Sequence, residues 1–236
     1  TQSIGREFLV NGDPRYRAYA ALIAERGLAV AAGGTYLILG TTEAKPLVQA
    51  LERSIWERGA VPHLMLRFPE DDEIRLRHAC ADQLGTTNTL ELFAARHMDG
   101  ILLIHSDGNP ASLAAIFADR QMLAQQAQRE PMQTVFRRVM EGALCWTSCV
   151  FPGRGYAQLA GMGDAAYEEM VLDAVKVNTP SPMQAWDQVE AKQNQFIEAL
   201  AGSRKVRVIA EDTDLTLSVE GRRWINAAGT SNMPDG

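Results

Sequence analysis

The stretch Tyr36-Leu37-Ile38-Leu39-Gly40 (YLILG), followed by Val61-Pro62-His63-Leu64-Met65-Leu66 (VPHLML), decides the fold. YLILG is a short continuous apolar run without the in–out alternation of a half-wet strand, as a strand covered on both faces requires. Between the two runs, Thr42 offers a helix cap, Leu47, Leu51 and Ile55 recur at four-residue spacing, and Gly59 closes the interval. The pieces make a strand–helix–strand unit whose crossover is expected to be right-handed.

The same grammar extends in both directions. Upstream, Asp13 and Pro14 open a helical pattern with Tyr16, Tyr19, Ala20 and Ile23, and Gly27 reads as its C-cap. Downstream, Asp71–Leu84 and Thr89–His97 read as helical and Gly100–His105 (GILLIH) as a buried strand. Ser112–Gln128 and Pro131–Glu141 follow as helices, Leu144–Phe151 as a fourth strand, and Asp164 as the cap of Tyr167–Val177. Pro182 opens a long helix running to Leu200. Strands alternating with helices predict an α/β fold, a mostly parallel sheet flanked by helices on both faces.

After Gly202 the pattern changes. Val206–Ala210 and Leu215–Val219 alternate apolar with polar, and Glu220–Gly221 supplies a turn before Arg223–Asn226. That is the pattern of an antiparallel sheet. The expected organisation is an N-terminal α/β domain over 1–203, then the antiparallel β beginning of a second, C-terminal domain over 204–236, truncated.

Composition narrows the classes. Of 236 residues, 46% are hydrophobic and 22% charged, a balance that supports a packed core without staples. A formal charge of −6 gives no electrostatic reason to expect nucleic acid as a partner. The apolar stretch Gly100–Ile104 is far too short to cross a bilayer, and Thr1–Val10 lacks a charged-then-apolar leader pattern. Cys80, Cys145 and Cys149 are odd in number and widely placed, which argues for a reducing compartment, cytoplasmic by default.

The residues that could carry chemistry do not make a complete set. His63, His78, His97 and His105 form no HExxH pair; His78 and Asp82 stand four apart on an expected helix, where a surface hydrogen bond explains them far better than a metal does. Cys145 and Cys149 would point the same way from one strand but roughly 13 Å apart, too far for a disulfide, and read as buried small hydrophobes. The loops Thr41–Thr42 and Ser106–Asn109 follow two strands at their carboxyl ends, where open α/β sheets bind ligands. They lack a phosphate-cradling glycine motif, and Asp-Gly and Asn-Pro are ordinary turn formers. Glu211, Asp212 and Asp214 cluster beside a strand; paired carboxylates can hold a metal or move a proton, and at a hairpin they also serve as solvated turn residues.

Ordered motifs go further than this chemistry. Thr213-Asp214-Leu215-Thr216 (TDLT), Gly221-Arg222-Arg223-Trp224-Ile225 (GRRWI) and Asn232-Met233-Pro234-Asp235-Gly236 (NMPDG) follow one another toward the C-terminal end. Upstream stand Trp146, Phe151-Pro152, Tyr156-Ala157-Gln158, Ala160-Gly161-Met162, then Trp186 and Gln193. The series resembles peptidase family M29, the aminopeptidase T type of metallo-aminopeptidase, across essentially the whole chain and most strongly from about 144 to 236. Gly153-Arg154-Gly155 departs from it, since family members tend to carry Thr and a small residue or Pro there. The resemblance implies a two-metal exopeptidase acting on peptide N-termini, with zinc, cobalt or manganese polarising the scissile carbonyl and activating water. Its Glu, His and Asp metal ligands belong to the second domain, beginning with a glutamate directly after NMPDG, so no metal ligand and no catalytic residue is assigned in this chain. Asp214, Arg223, Trp224, Asn232 and Asp235 are the motif residues at the expected domain junction. The resemblance further implies a homodimer in which this domain helps enclose the active site, and a 236-residue piece that is inactive and metal-free alone. A small-ligand module built on the strand-end loops, or a docking domain without catalytic role, are the competing readings.

Overall fold

A computed structural model describes residues 13–106 and 108–235. The leader reading of Thr1–Val10, the loop residue Asp107 and the motif residue Gly236 fall outside the described residues.

The chain runs α1 (Pro14–Leu22), a π-helical turn (Ile23–Gly27), β1 (Thr35–Thr41), a 3-10 turn (Thr42–Ala44), α2 (Lys45–Glu57) and β2 (Val61–Arg67). Next come α3 (Asp71–His78), α4 (Ala81–Leu84), α5 (Thr89–His97), β3 (Gly100–His105), α6 (Ala118–Ala127), α7 (Arg129–Met140) and β4 (Cys145–Val150). Finally there are α8 (Arg154–Leu159), α9 (Asp164–Ala174), α10 (Pro182–Leu200), β5 (Lys205–Ala210), β6 (Thr213–Ser218) and β7 (Asn232–Met233). Strands β2-β1-β3-β4-β7 form one sheet, parallel at every pairing, and β5-β6 form a separate antiparallel ribbon. The fold is α/β, as the YLILG and GILLIH runs predict.

Those continuous apolar runs exist because each feeds two cores. Tyr36 and Ile38 of β1 and Leu102 and Ile104 of β3 pack on one face with Tyr19, Leu51, Ile55 and Trp186 from α1, α2 and α10. Leu37 and Ile101 point the other way, onto Ala94, Ala95 and Val135 of α5 and α7. Each fully buried aliphatic side chain in such a layer contributes about 1.5–3 kcal/mol. A smaller cluster, Leu76, Leu84, Ile116 and Ala124, ties α3 and α4 to α6.

Several expected elements differ for identifiable reasons. The span Asp71–Leu84 is two helices because the Arg120 guanidinium donates to the Leu76 carbonyl at 2.6 Å and to that of Ala79, ending α3, while the Gln83 side chain accepts from the Cys80 amide at 2.8 Å and starts α4. Ser112–Gln128 is helical only from Ala118, since the Asn109 side chain caps Ala111 and the Gln121 amide holds the Leu113 and Ile116 carbonyls in turns. Thr41 rather than Thr42 caps the turn before α2, accepting from the Glu43 amide. Gly27 is no C-cap; it ends the π-helical turn where a Cβ would stand 2.9 Å from the Thr147 hydroxyl, so it lets the turn approach β4. Arg223–Asn226 forms no third antiparallel strand. Instead Asn226 donates to the Glu190 carbonyl (3.1 Å) and to Asn194 (2.7 Å), laying the segment along α10 before the chain rejoins the large sheet as β7.

Candidate functional site

With the order β2-β1-β3-β4-β7, the connections turn one way from β1 and the other way from β3. The crevice beyond the carboxyl ends of β1 and β3 is therefore the switch point where doubly wound sheets bind ligands. The two loops singled out by sequence meet there. The Thr41 amide donates to Ser106 Oγ at 3.0 Å, Thr41 Oγ1 donates to the Ser106 carbonyl at 2.7 Å, and the two hydroxyl oxygens lie 2.9 Å apart. Ser106 is buried. The pair thus spends its hydroxyl protons on itself and ties β1 to β3. Just beyond, the Gly153-Arg154-Gly155 turn closes over the β3 loop: a Cβ at Gly155 would stand 2.3 Å from the Gly108 carbonyl oxygen. The departure from the family pattern at this turn accompanies direct backbone contact, which only glycine permits.

Strand β7 runs parallel to β4, pairing Asn232 with Ser148 and Met233 with Cys149, so Pro234 and Asp235 emerge at this same carboxyl edge. Ser148 Oγ donates to Asn232 Oδ1 at 2.8 Å. The buried Tyr19 hydroxyl shares its proton between the Met233 carbonyl (2.9 Å) and that of Val150 (3.2 Å). Burial pushes the Tyr19 hydroxyl pKa far up, so it stays a donor.

Asn232 and Asp235 are therefore brought to the sheet edge, whereas Asp214, Arg223 and Trp224 sit at the surface. Asp214 accepts a two-pronged bond from Arg207 across the ribbon, at 2.7 and 2.6 Å, and that guanidinium holds its carboxyl below the usual carboxylate range. Asp212 occupies the left-handed region, φ 53°, at the ribbon turn beside Glu211. The acidic cluster is a hairpin turn. Sequence reading missed Arg26, whose guanidinium is 7% exposed and donates to the Ala228 carbonyl at 2.7 Å, to Asp187 at 2.8 Å and to Glu190. Nothing in its local sequence marks it, because its partners come from α10 and the segment before β7.

Among the described residues, no three His, Cys, Asp or Glu side chains gather closely enough to hold a metal ion. His78 and Asp82 stand on separate helices, and the His97 ring rests on Phe93 with centroids 4.4 Å apart. Cys145 and Cys149 are free thiols whose pKa values are raised by burial, Cys149 to about 12, so neither readily supplies a thiolate. The donor set described here does not fit a metal pair.

With this geometry in hand, comparison with known proteins is specific. The family model of the thermophilic metalloproteases (M29) matches residues 13–236. Aminopeptidase AmpS of Bacillus subtilis is 22% identical over 236 aligned positions, covering 92% of this chain and 56% of the relative. Aminopeptidase 2 of Geobacillus stearothermophilus is 22% identical over 229 positions, covering 90% of this chain and 55% of the relative. The solved structure of wild-type AmpT from Thermus thermophilus superposes with a TM-score of 0.73 at 18% identity, covering 94% of this chain and 60% of that one, and so shares its fold. The chain spans just over half the length of the curated relatives it matches. Among the described residues, no helix is long and apolar enough to cross a membrane.

Proposed function

Because the chain belongs to the thermophilic metalloprotease family M29, we propose that it is the N-terminal α/β part of a metal-dependent aminopeptidase that removes N-terminal residues from peptides. The observation that carries this reading is the extent of the family match, which takes in both sheets and every motif residue. The two curated relatives are named as aminopeptidases, which supports the same class of reaction. In this reading the metal pair, of zinc, cobalt or manganese, is carried by the parent protein beyond these residues, and the chain alone is inactive.

The topology supports a specific role for the part described here. Residues up to about 203, joined by strand β7, form the α/β domain, and the ribbon β5-β6 begins the catalytic one. In this reading the metal-bearing domain sits over the carboxyl edge, where doubly wound sheets place their ligands. The Thr41–Ser106 tie and the Gly108–Gly155 contact then act as a rigid floor rather than a ligand pocket. The α/β domain walls the approach to the metals, favouring short peptides, and supports a homodimer. Three free thiols accord with a reducing, cytoplasmic setting.

The test uses leucine p-nitroanilide and peptides of graded length. The parent protein, loaded with zinc, cobalt or manganese, is expected to release the amino-terminal residue and to lose activity on chelation. The 236-residue chain, under the same conditions, is expected to release nothing. Hydrolysis by the chain alone, after removal of contaminating peptidases, would overturn the division of labour. Absence of aminopeptidase activity from the metal-loaded parent would overturn the function itself.

A further inference from the structure

The sheet face opposite Trp186 is not closed. Between that face and helices α5 and α7 lies a cavity of about 320 Å³, within the lower range of small-ligand pockets. It is far larger than the water-sized voids of packed interiors. Its floor is apolar, made by Leu39, Leu103 and Trp146 of β1, β3 and β4, and its walls are Ala94 of α5 with Met132 and Val135 of α7. The charged lining residues, Arg67, Asp72, Arg75 and Glu91, are exposed or half-exposed and define the mouth.

The mouth is electrostatically incomplete in a particular way. Arg67 and Arg75 both reach the same oxygen, Asp72 Oδ1, at 3.2 and 3.3 Å. Charge-assisted bonds of this kind settle at about 2.7–2.9 Å, and two guanidinium groups sharing one oxygen leave most of their N–H donors for another anion. Among the described residues, Glu91 takes the Asn88 side-chain amide, at 3.2 Å, and forms no ion pair. Two guanidinium groups and two carboxylates make the mouth neutral overall, with Arg67 on β2, Asp72 and Arg75 on α3 and Glu91 on α5. A ligand that completes it carries one carboxylate and one ammonium on an apolar body.

We propose that this cavity binds a free α-amino acid with a large apolar side chain, its carboxylate on Arg67 and Arg75, its ammonium on Glu91 and its side chain on the Leu39–Leu103–Trp146 floor. The choice of amino acids, the products an aminopeptidase releases, rests on the function proposed above; the neutral, two-signed mouth and the apolar floor stand without it. Arg67 pairs with Thr41 in the β1–β2 ladder, so the mouth opens at the carboxyl edge of the sheet, the edge that faces the proposed catalytic domain.

Calorimetric titration of the chain with L-leucine and L-phenylalanine tests the assignment, with N-acetyl-leucine, leucinamide, octanoate and glutamate as controls. Saturable one-site binding of leucine or phenylalanine is expected, with a dissociation constant on the order of 0.1–1 mM for a ligand of this size. N-acetyl-leucine, leucinamide and glutamate should each bind at least about tenfold more weakly, the loss of roughly one favourable contact. Glu91→Gln and Arg75→Gln should weaken leucine by a similar factor while thermal unfolding without ligand stays unchanged. No saturable heat with leucine or phenylalanine overturns the proposal. Octanoate or N-acetyl-leucine binding as tightly as leucine overturns it equally, in favour of a simple anionic amphiphile. Because hydrolysis is never read, failure here is distinct from failure of the peptidase reading, which is judged on the metal-loaded parent.

Discussion

The ribbon β5-β6 and the strand β7 come from neighbouring stretches of chain and are anchored in opposite ways. The ribbon makes six paired positions, yet Val208, Ile209, Leu215 and Leu217 remain 45–69% exposed. Strand β7 makes two paired positions, yet Met233 is 1% exposed, packed in the core with Trp186 and held by the Tyr19 hydroxyl. Gly229, at φ 77°, lets the chain pass so close that a Cβ would stand 3.0 Å from Met233 and 3.1 Å from Trp186. Ladder length is therefore a poor guide to anchoring: backbone hydrogen bonds contribute modestly against water, whereas apolar burial supplies the net stabilisation. A two-stranded ribbon with wet faces is marginal by itself.

The sharpest way to break this contrast is to remove what anchors β7. Trp186 is 1% exposed, its indole N–H donates to the Val175 carbonyl at 3.1 Å, and the Lys176 ammonium stands 5.6 Å from its ring centroid. Trp186→Ala is expected to cost about 3–5 kcal/mol. The check is a lowered urea midpoint with an unchanged slope. A loss below about 1 kcal/mol, the level of an ordinary surface change, would mean that β7 and α10 are not held as described.

A second prediction reads the docking of β7 through Cys149, which pairs with Met233. Burial raises its pKa from 9.0 to about 12, and the thiolate is the reactive form. At pH 8 the Cys149 thiolate is therefore scarce as well as buried, and labelling by Ellman's reagent should be far slower than at exposed Cys80. The sign follows from the raised pKa: the rate climbs with pH until about 12 instead of levelling near 9. Met233→Ser should bring Cys149 toward the reactivity of Cys80. Prompt labelling of native Cys149 would show that β7 is not docked.

How much of this was legible in sequence divides along the same line. YLILG and GILLIH announce a parallel sheet because a strand covered on both faces has no choice of composition. The alternating residues of β5 and β6 announce an antiparallel pair because the pleat has period two. Asn232–Met233 announces nothing, since two residues carry no period, and its place beside β4 is fixed by Tyr19, Trp186 and Gly229 from remote stretches. The break at Ala79 is hidden likewise, since Arg120 supplies the cap from another helix. At the candidate site, sequence located the Thr41 and Ser106 loops from the strand-end rule. It could not show that they bond to each other, because that depends on the separation of β1 and β3.

The smallest expected effect sharpens the comparison most, because it depends on what surrounds the ribbon. Val208 and Leu215 pair across β5 and β6 and are 45% and 48% exposed. Replacing both with serine removes apolar surface that is already wet, so each change in the isolated chain should cost no more than about 0.5 kcal/mol. In the parent protein, if the ribbon is the start of a second domain, those side chains become buried and the same pair should cost several times more, on the scale of about 2 kcal/mol or above for each buried residue truncated. The measurement is the unfolding midpoint of both proteins with and without the pair. Equal, small costs in both would mean that nothing covers the ribbon and that its apolar face serves no domain junction. A large cost already in the isolated chain would mean that the ribbon is packed here after all, against the exposure that distinguishes it from β7.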